Sequence, residues 1–467
     1  MPSPGLVTAV LAFAGMSASF MQTILIPIQG ELPELLGASR DDTAWVITIT
    51  LLVSAICTPI SGRLGDMFGK RRVALSLLVL LVLGSVIAAL SPTVVPLIIG
   101  RGLQGAGMGV IPLGIAILRD TLHKDRLGSA IALVSATLGV GGALGLPLSA
   151  FVTEHYDWHV LFWVAAGLGA ICFVLILLIV PVSTLRAPGR IDFIGAAGLA
   201  VGLAGVLLGI SRGNEWGWTS APTLGLLAGG VVVLLVWGWF ELRVSGPLVD
   251  LRVFSRGPVL LTNLASIAMG FALFSSSIAF PQLLQLPEDV GGLGLGLLPA
   301  SLILMPSGLA MLAMSPVAGR ISRRSGPKPL LVMGAAIIAV TYLAAVLLPL
   351  PVWGILLINV CVGIGIGLGY AAMPTLIMRA VPASETGAAN GLNTLMRSLG
   401  TAIAAAAIAA VLAQSAVDVG GTSLPTAEGF QLAFVLGLIA AVVCTVLAML
   451  IPQPKTGVED RPSLPAD

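Results

Sequence analysis

Residues 62–72 read "GRLGDMFGKRR", four cations and one acid spaced by glycines between two long apolar stretches. Residues 319–328, "GRISRRSGPK", repeat the glycines and cations without the acid: Ser322 and Arg323 stand where Asp66 and its neighbours would be. Aligning Gly62 with Gly319 and Gly69 with Gly326 sets an offset of 257 residues. The correspondence continues along the chain. "GAGMG" at 105–109, followed by Arg119, returns as "GIGLG" at 365–369, followed by Arg379, 260 residues later, and Gly128 returns as Gly387, 259 later. The charged stretch therefore recurs because a large unit is duplicated.

Composition says what kind of unit it is. Of 467 residues, 57% are hydrophobic and only 9% charged, and mean hydropathy is +1.05, whereas a soluble domain carries about 25% charged residues. A helix needs about 20 apolar residues to cross the hydrocarbon core. Cutting the chain at charged and Pro/Gly-rich breaks yields fourteen such runs, from 5–28 to 429–451, with 43–61 and 73–91 flanking the opening stretch as a loop. The first run has no Lys or Arg before it and continues past Ser19, so it reads as a span rather than a signal peptide. The expected fold is an all-α integral membrane protein of two six-helix bundles plus two extra central spans. Residues 1–182 form the first bundle, 183–257 a central linker with the extra pair, 258–451 the second bundle and 452–467 a tail. Parallel repeats of this kind, related by an axis along the membrane normal, occur in secondary transporters. The extra pair, spans 7 and 8, carries no intramembrane charge in this reading and is expected to be peripheral.

Lys and Arg accumulate in cytoplasmic loops. With the N-terminus inside, 19 of the 23 basic residues fall on the cytoplasmic side, two outside (Arg40, Arg212) and two within spans (Arg101, Arg397). A multi-pass plasma-membrane protein with both termini cytoplasmic is expected. The net charge of +2 implies no nucleic-acid partner. Cys57, Cys172, Cys361 and Cys444 lie in apolar runs without metal-site or disulfide spacing, so no metal and no cofactor is expected. A membrane enzyme would need paired carboxylates or an acid/base dyad at membrane depth, and the spans offer none. A permanently open channel would not need a two-bundle repeat.

Single residues sharpen the picture. Gly62, Gly65 and Gly69 permit close backbone approach, and Asp66 offers an acceptor to helix N-terminal N–H groups or to cations. The second copy, lacking the acid, is expected to retain only topology. Gly141 and Gly145 have the small-xxx-small spacing that lets helices pack closely, and Pro147 removes a backbone hydrogen bond. A cation inside a span costs about 3 kcal/mol unless paired or facing water, which makes Arg101 and Arg397 candidate functional residues. Asn390, Asn393, Thr394, Arg397 and Thr401 share one helical face, and Asn263, Ser266, Gly270 and Ser277 share another, with Ser19, Gln22 and Thr23 in span 1. These polar faces should avoid lipid and line a central substrate cavity, with Gln22, Asn263, Ser266, Asn390, Asn393 and Arg397 as its polar contacts.

The opening stretch resembles the loop signature of the major facilitator superfamily, and "RGLQGAGMG" in span 4 resembles its second motif, with Arg101, Gln104 and Gly105 in place. "LGVGGALGLPL" in span 5 looks like the antiporter motif, carrying Leu146 between Gly145 and Pro147 where the motif has an adjacent Gly-Pro pair. "FPQLLQ" at 280–285 and "NGLNTLMRSLG" at 390–400, with fourteen spans, look like the drug:proton antiporter branch. The resemblance implies alternating-access export of lipophilic drugs or related small amphiphiles in exchange for protons, by a monomer in the lipid bilayer; transport of a specific metabolite or lipid in either direction by the same fold is the alternative. It also implies that Asp66, Lys70 and Asp120 form a cytoplasmic charge network holding the outward-facing state, and that Arg101, Gln104, Gly105, Gly141, Gly145 and Pro147 serve coupling. The branch's usual aspartate in span 1 is absent, "FMQT" placing Met21 there, and no Asp, Glu or His lies inside a predicted span. Glu31, Asp41 and Asp42, at the outer ends of spans, are the carboxylates left to titrate.

Overall fold

Among the described residues, apolar runs too long to be buried in a soluble core become fourteen helices long and apolar enough to cross a bilayer. The computed structural model describes residues 3–452 except 27, 29–31, 184, 187–191, 245, 289–290 and 420–421. Glu31, the Asp41 side chain and the tail from 453 therefore lie outside the described residues. The spans are 1 (Pro4–Thr23), 2 (Arg40–Phe68), 3 (Lys70–Ala89), 4 (Val94–Thr121), 5 (Lys124–His155), 6 (His159–Ile179), 7 (Phe193–Trp216), 8 (Ala221–Glu241), 9 (Gly257–Gln285), 10 (Leu297–Ser325), 11 (Pro327–Leu347), 12 (Val352–Ala380), 13 (Thr386–Gln414) and 14 (Ala427–Leu450). Between spans 13 and 14 a short antiparallel ladder joins Ala416–Val419 to Thr422–Pro425, an addition to the expected all-helical architecture.

The opening stretch is less of a loop than its charge suggests. Span 2 stays helical through Phe68, a single residue, Gly69, turns the chain at φ +106°, and span 3 starts at Lys70. The same device recurs where predicted by the repeat: span 10 runs to Ser325, Gly326 has φ +82°, and span 11 starts at Pro327. A side chain is strained in that backbone region, which is why glycine stands at both corners. Span 10 is less regular than span 2, interrupted at Met305 and Met314, each followed within two residues by a proline that supplies no N–H to the preceding turn.

Spans 1–6 pack among themselves around Leu11, Leu113, Ile131 and Cys172 at one end and Met21, Leu97 and Phe162 at the other. Spans 9–14 pack around Phe280, Tyr342, Phe430 and Phe434. The halves meet chiefly through span 2 against span 13 and span 5 against spans 10 and 12. Cys57 and Cys361 are only half-buried, unlike Cys172 and Cys444.

Spans 7 and 8 form a hairpin whose backbones approach closely at Gly202, Gly205, Gly209 and Gly230. Span 7 lays Leu199, Leu203 and Leu207, one helical stripe, onto Leu52 and Ala55 of span 2 and Leu392 and Leu395 of span 13, at the crevice between the halves. Span 8 contacts span 7 and leaves Val231, Val232, Leu235, Val236 and Trp239 exposed to the surroundings. The pair does carry charge, which corrects the expectation. Arg212 sits inside span 7, 2% exposed, pairing with Glu215 and lying 4.7 Å over the Trp45 ring. Glu241 closes span 8 at 2% exposure.

Candidate functional site

At the face that carries residues 62–72, here termed the basic face, Asp66 is fully buried between the halves. Span 13 begins at Thr386 without a side-chain cap of its own, so the N–H groups of its first turn lack intrahelical partners. Asp66 supplies what is missing: Oδ1 accepts from Gly387 N–H at 3.1 Å and Oδ2 from Ala388 N–H at 2.8 Å. A carboxylate at a helix N-terminus also meets the positive end of its dipole. The approach requires small residues, since a Cβ on Gly387 would lie 2.6 Å from the Gly62 oxygen and 2.8 Å from Asp66 Oδ1. Lys70 Nζ lies 3.7 Å from Asp66 Oδ1 and donates to Asp120 Oδ2 at 2.7 Å, itself also bonded by Ser183 Oγ at 2.6 Å. The structure thus brings Gly62, Gly65, Asp66, Gly69, Lys70 and Asp120 together at one corner, Gly65 packed against Leu113 of span 4. Arg119 adds a bond across the halves, Nη2 to the Val381 oxygen at 3.3 Å.

The second copy is not bare topology, and this corrects the expectation. Gly319 packs on Ser129, Gly128 faces Ser322, and Arg323 Nη1 donates to Ser129 Oγ at 2.5 Å. Gly128 and Ser129 are the repeat partners of Gly387 and Ala388, so both copies dock across the halves.

Above this closed floor, a cavity of about 550 Å³ lies between the halves, lined by spans 1, 2, 4, 5, 9, 10, 12 and 13. It extends to the opposite face, where Ile26, Gln282 and Gln285 are exposed in its lining. Its walls are mostly apolar, with Gln22, Ser277, Asn359, Thr394 and Thr401 supplying polar atoms. Arg397 is the one charged side chain among the described lining residues, its guanidinium 4.5 Å over the Tyr370 ring. No residue of span 7 or 8 lines it.

Four expected cavity residues are elsewhere. Asn263, Ser266, Asn390 and Asn393 are at most 2% exposed and absent from the lining. Asn393 Nδ2 donates to Asn263 Oδ1 at 3.0 Å and Ser266 Oγ at 2.6 Å, and Asn390 Nδ2 to the Thr386 oxygen at 2.8 Å. The reason is close packing of spans 9 and 13, where Gly270 meets the Arg397 backbone and Gly400 the Ile267 backbone. The amides below that crossing are sealed, Asn393 bonding Asn263 and Asn390 bonding its own helix, while Thr394, Arg397 and Thr401 turn into the cavity.

Arg101 is also outside the cavity. At 1% exposure it spans three helices, with Nη1 donating to the Met21 oxygen and Gln104 Oε1, both at 2.9 Å, and Nε to the Val46 oxygen at 3.3 Å. Gln104 passes the chain to Ser85 Oγ at 2.8 Å, and Gly105 lets span 4 approach Thr50 of span 2. Buried backbone carbonyls, rather than a carboxylate, satisfy this cation. Gly141 and Gly145 face Met16, Ser19 and Thr23 of span 1, within the same half, and Pro147 lies in the continuing helix. The contact between halves falls instead to Gly139 and Ala143, which meet Gly308 of span 10. Their small-xxx-small spacing was equally visible in the sequence, two residues out of phase with Gly141 and Gly145.

Residues 11–405 match the family described as Major Facilitator Superfamily. The chain is 26% identical over 98% of its length to the uncharacterized MFS-type transporter YcnB of Bacillus subtilis, covering 97% of that protein. It is 27% identical over 96% of its length to the lincomycin resistance protein LmrB of Listeria monocytogenes, covering 97% of it. Among solved structures, the human organic anion transporter MFSD10 (TETRAN) superposes with a TM-score of 0.67 at 16% identity, over 97% of this chain and 100% of that one.

Proposed function

We propose, because this chain belongs to the Major Facilitator Superfamily, that its transport function is the export of small lipophilic amphiphiles from the cell in exchange for protons. The chain is a membrane transporter, not an enzyme. The observation that carries the finer reading is the mostly apolar cavity of about 550 Å³, closed towards the basic face and reaching the other. Taking the basic face as cytoplasmic, by the distribution of Lys and Arg, this is an outward-facing arrangement held by the Asp66 contact. A relative named for lincomycin resistance and one named a multidrug transporter, mfsC of Aspergillus fumigatus, support a drug-like substrate. The repeat boundaries near residues 182 and 258 then separate two rocking bundles, with the first residues and the tail on the cytoplasmic side.

The lining chemistry narrows the substrate. With Arg397 present and no carboxylate among the described lining residues, a permanent cation meets no fixed counter-charge in a poorly screened space. Neutral, zwitterionic or anionic amphiphiles are favoured, oriented by Arg397 and Gln22 against apolar walls. The experiment compares proteoliposome transport of an ethidium-like cation with that of a neutral analogue, in wild type and Arg397→Ala. Transport of the neutral compound that drops at least about tenfold in the variant, roughly 1.4 kcal/mol, supports the reading; efficient transport of the cation, unaffected by the substitution, sinks it. An imposed proton gradient that fails to accelerate export removes proton exchange from the account.

A further inference from the structure

Far from the cavity, at the basic-face end of spans 7 and 8, two carboxylates are turned towards each other. Asp192 caps span 7, its Oδ1 accepting Gly195 N–H at 2.7 Å. Glu241 ends span 8, its Oε2 accepting Val249 N–H at 3.4 Å. Each carboxylate thus uses one oxygen on a backbone donor. The remaining oxygens, Asp192 Oδ2 and Glu241 Oε1, are both buried with no hydrogen-bond partner, and both close on the bare Cα of Gly195, where a Cβ would collide with the two of them. Glu241 is 2% exposed.

Among the described residues, no cation beside them balances the charge; Arg190, just before Asp192, lies outside the described residues. Among the described residues, no Lys, Arg or His lies within 4.0 Å of either carboxylate. From span 8, the buried indole N–H of Trp237 lies near enough to Glu241 to interact with its carboxylate but outside full hydrogen-bond geometry, and Arg243, beyond the helix, stacks on Trp239 at 3.9 Å. On the connector, Arg252 donates to the Leu242 oxygen at 3.0 Å, and Asp250 accepts from the Arg252 backbone. From span 2, Arg63 lines the neighbouring small pocket without pairing to the acids. Two like charges that converge on one glycine, with Glu241 buried, disfavour each other's ionised form. Either a proton or a metal ion joins them.

The surroundings decide for a proton. Calcium takes about six to eight oxygen ligands, whereas no third metal-binding group joins these two among the described residues. The other polar neighbours are N–H donors, of Gly195, Val249 and Trp237, which repel a cation. A proton needs only the two orphan oxygens.

We propose that Asp192 and Glu241 form a proton-binding site, one proton bridging Oδ2 and Oε1 and exchanging with water at the basic face. The site stitches the start of span 7, the end of span 8 and the connector into one unit. The connector residues Leu248 and Val249 sit in the apolar cluster that includes Leu52 of span 2 and Leu392 of span 13, so they wedge between the halves beside the docking corner. Binding the proton holds the wedge in place; losing it leaves two repelling carboxylates and loosens the connector. The site does not depend on which solute the protein carries.

The test follows the purified full-length protein in detergent. A proton shared by the pair in the folded state predicts that wild-type Tm falls by several degrees as pH rises from mildly acidic to alkaline. Glu241→Gln, whose amide offers Asp192 a permanent N–H, removes that decline and surpasses wild type at alkaline pH; Asp192→Asn, which keeps a capping residue, does the same. Parallel Tm–pH curves for wild type and both variants overturn the proposal. Infrared spectra of wild type alone give a second reading: a protonated-carboxyl band at neutral pH, lost in either variant, is expected, and no such band in wild type refutes the site. A rise in wild-type Tm with millimolar magnesium or calcium, reversed by chelation, assigns the pair to a metal ion instead.

Discussion

Asp66 and Arg323 occupy the same position in the two halves, each two residues before the end of its helix, yet they hold the molecule together differently. Asp66 is fully buried and bonds two backbone N–H groups of span 13. Arg323 is exposed and bonds one hydroxyl of span 5. The helix starts explain the divergence. Span 13 begins at Thr386, so Gly387 and Ala388 still carry free N–H groups; span 5 begins at Lys124, several residues earlier in repeat register, so the N–H groups of Gly128 and Ser129 are already within the helical ladder. An acid at 323 would have found no free backbone N–H, only the Ser129 hydroxyl. Duplication preserved the shape of the contact, while a shift in one helix start decided which copy could use a buried charge.

The strongest way to break this comparison is Asp66→Asn. It removes a charge from a buried, doubly bonded site, a loss of about 2–3 kcal/mol, and transport at equal expression should fall by at least tenfold; an unchanged initial rate ends the distinction. Gly387→Ala should come next. Its Cβ intrudes on the Gly62 oxygen and Asp66, costing about 1–3 kcal/mol of overpacking, and the basic-face ends should separate, read as faster thiol labelling of a cysteine placed at Ala389. Arg323→Asp in the Asp66→Asn background sharpens the account: with no free N–H at its partner helix, it should restore none of the lost transport. Ser129→Ala should matter least, because an exposed single bond contributes about 0.2–1 kcal/mol; transport should stay within about twofold of wild type.

The spans, the duplication and the corner of charges were legible in the sequence because each depends on local composition or on residues a fixed offset apart. The repeat aligned Gly69 with Gly326, and both stand at the turns, but the residues around Gly69, read as a loop, are helical. What the sequence hid was azimuth, the direction in which a polar side chain points when its helix has neighbours on several sides. Asn390, Asn393 and Arg397 share a face on paper, but the close crossing of spans 9 and 13 at Gly270 and Gly400 seals the first two and frees the third. Arg101 shows the same limit: a lone cation in a span signals an unusual site, yet its partners are the carbonyls of Met21 and Val46 on other helices, which carry no sequence signature. Glu241 was missed for a third reason, since it lies one residue past the apolar run that defined span 8 and is buried by the connector folding back over it and by Gly195 of span 7.

The hairpin of spans 7 and 8 also has a bearing on how the protein sits in its bilayer. It carries exposed Trp216 and Trp218 near one end and exposed Trp239 near the other, separated by the length of span 8, about 30 Å, close to the hydrocarbon thickness. Indoles settle at the membrane–water boundary, so the hairpin works as a pair of floats moored at both surfaces. With these moorings at both surfaces, a thinner bilayer should strain the hairpin before it strains the cavity. Lipid thickness would then act as a mechanical load on the crevice where span 7 is seated.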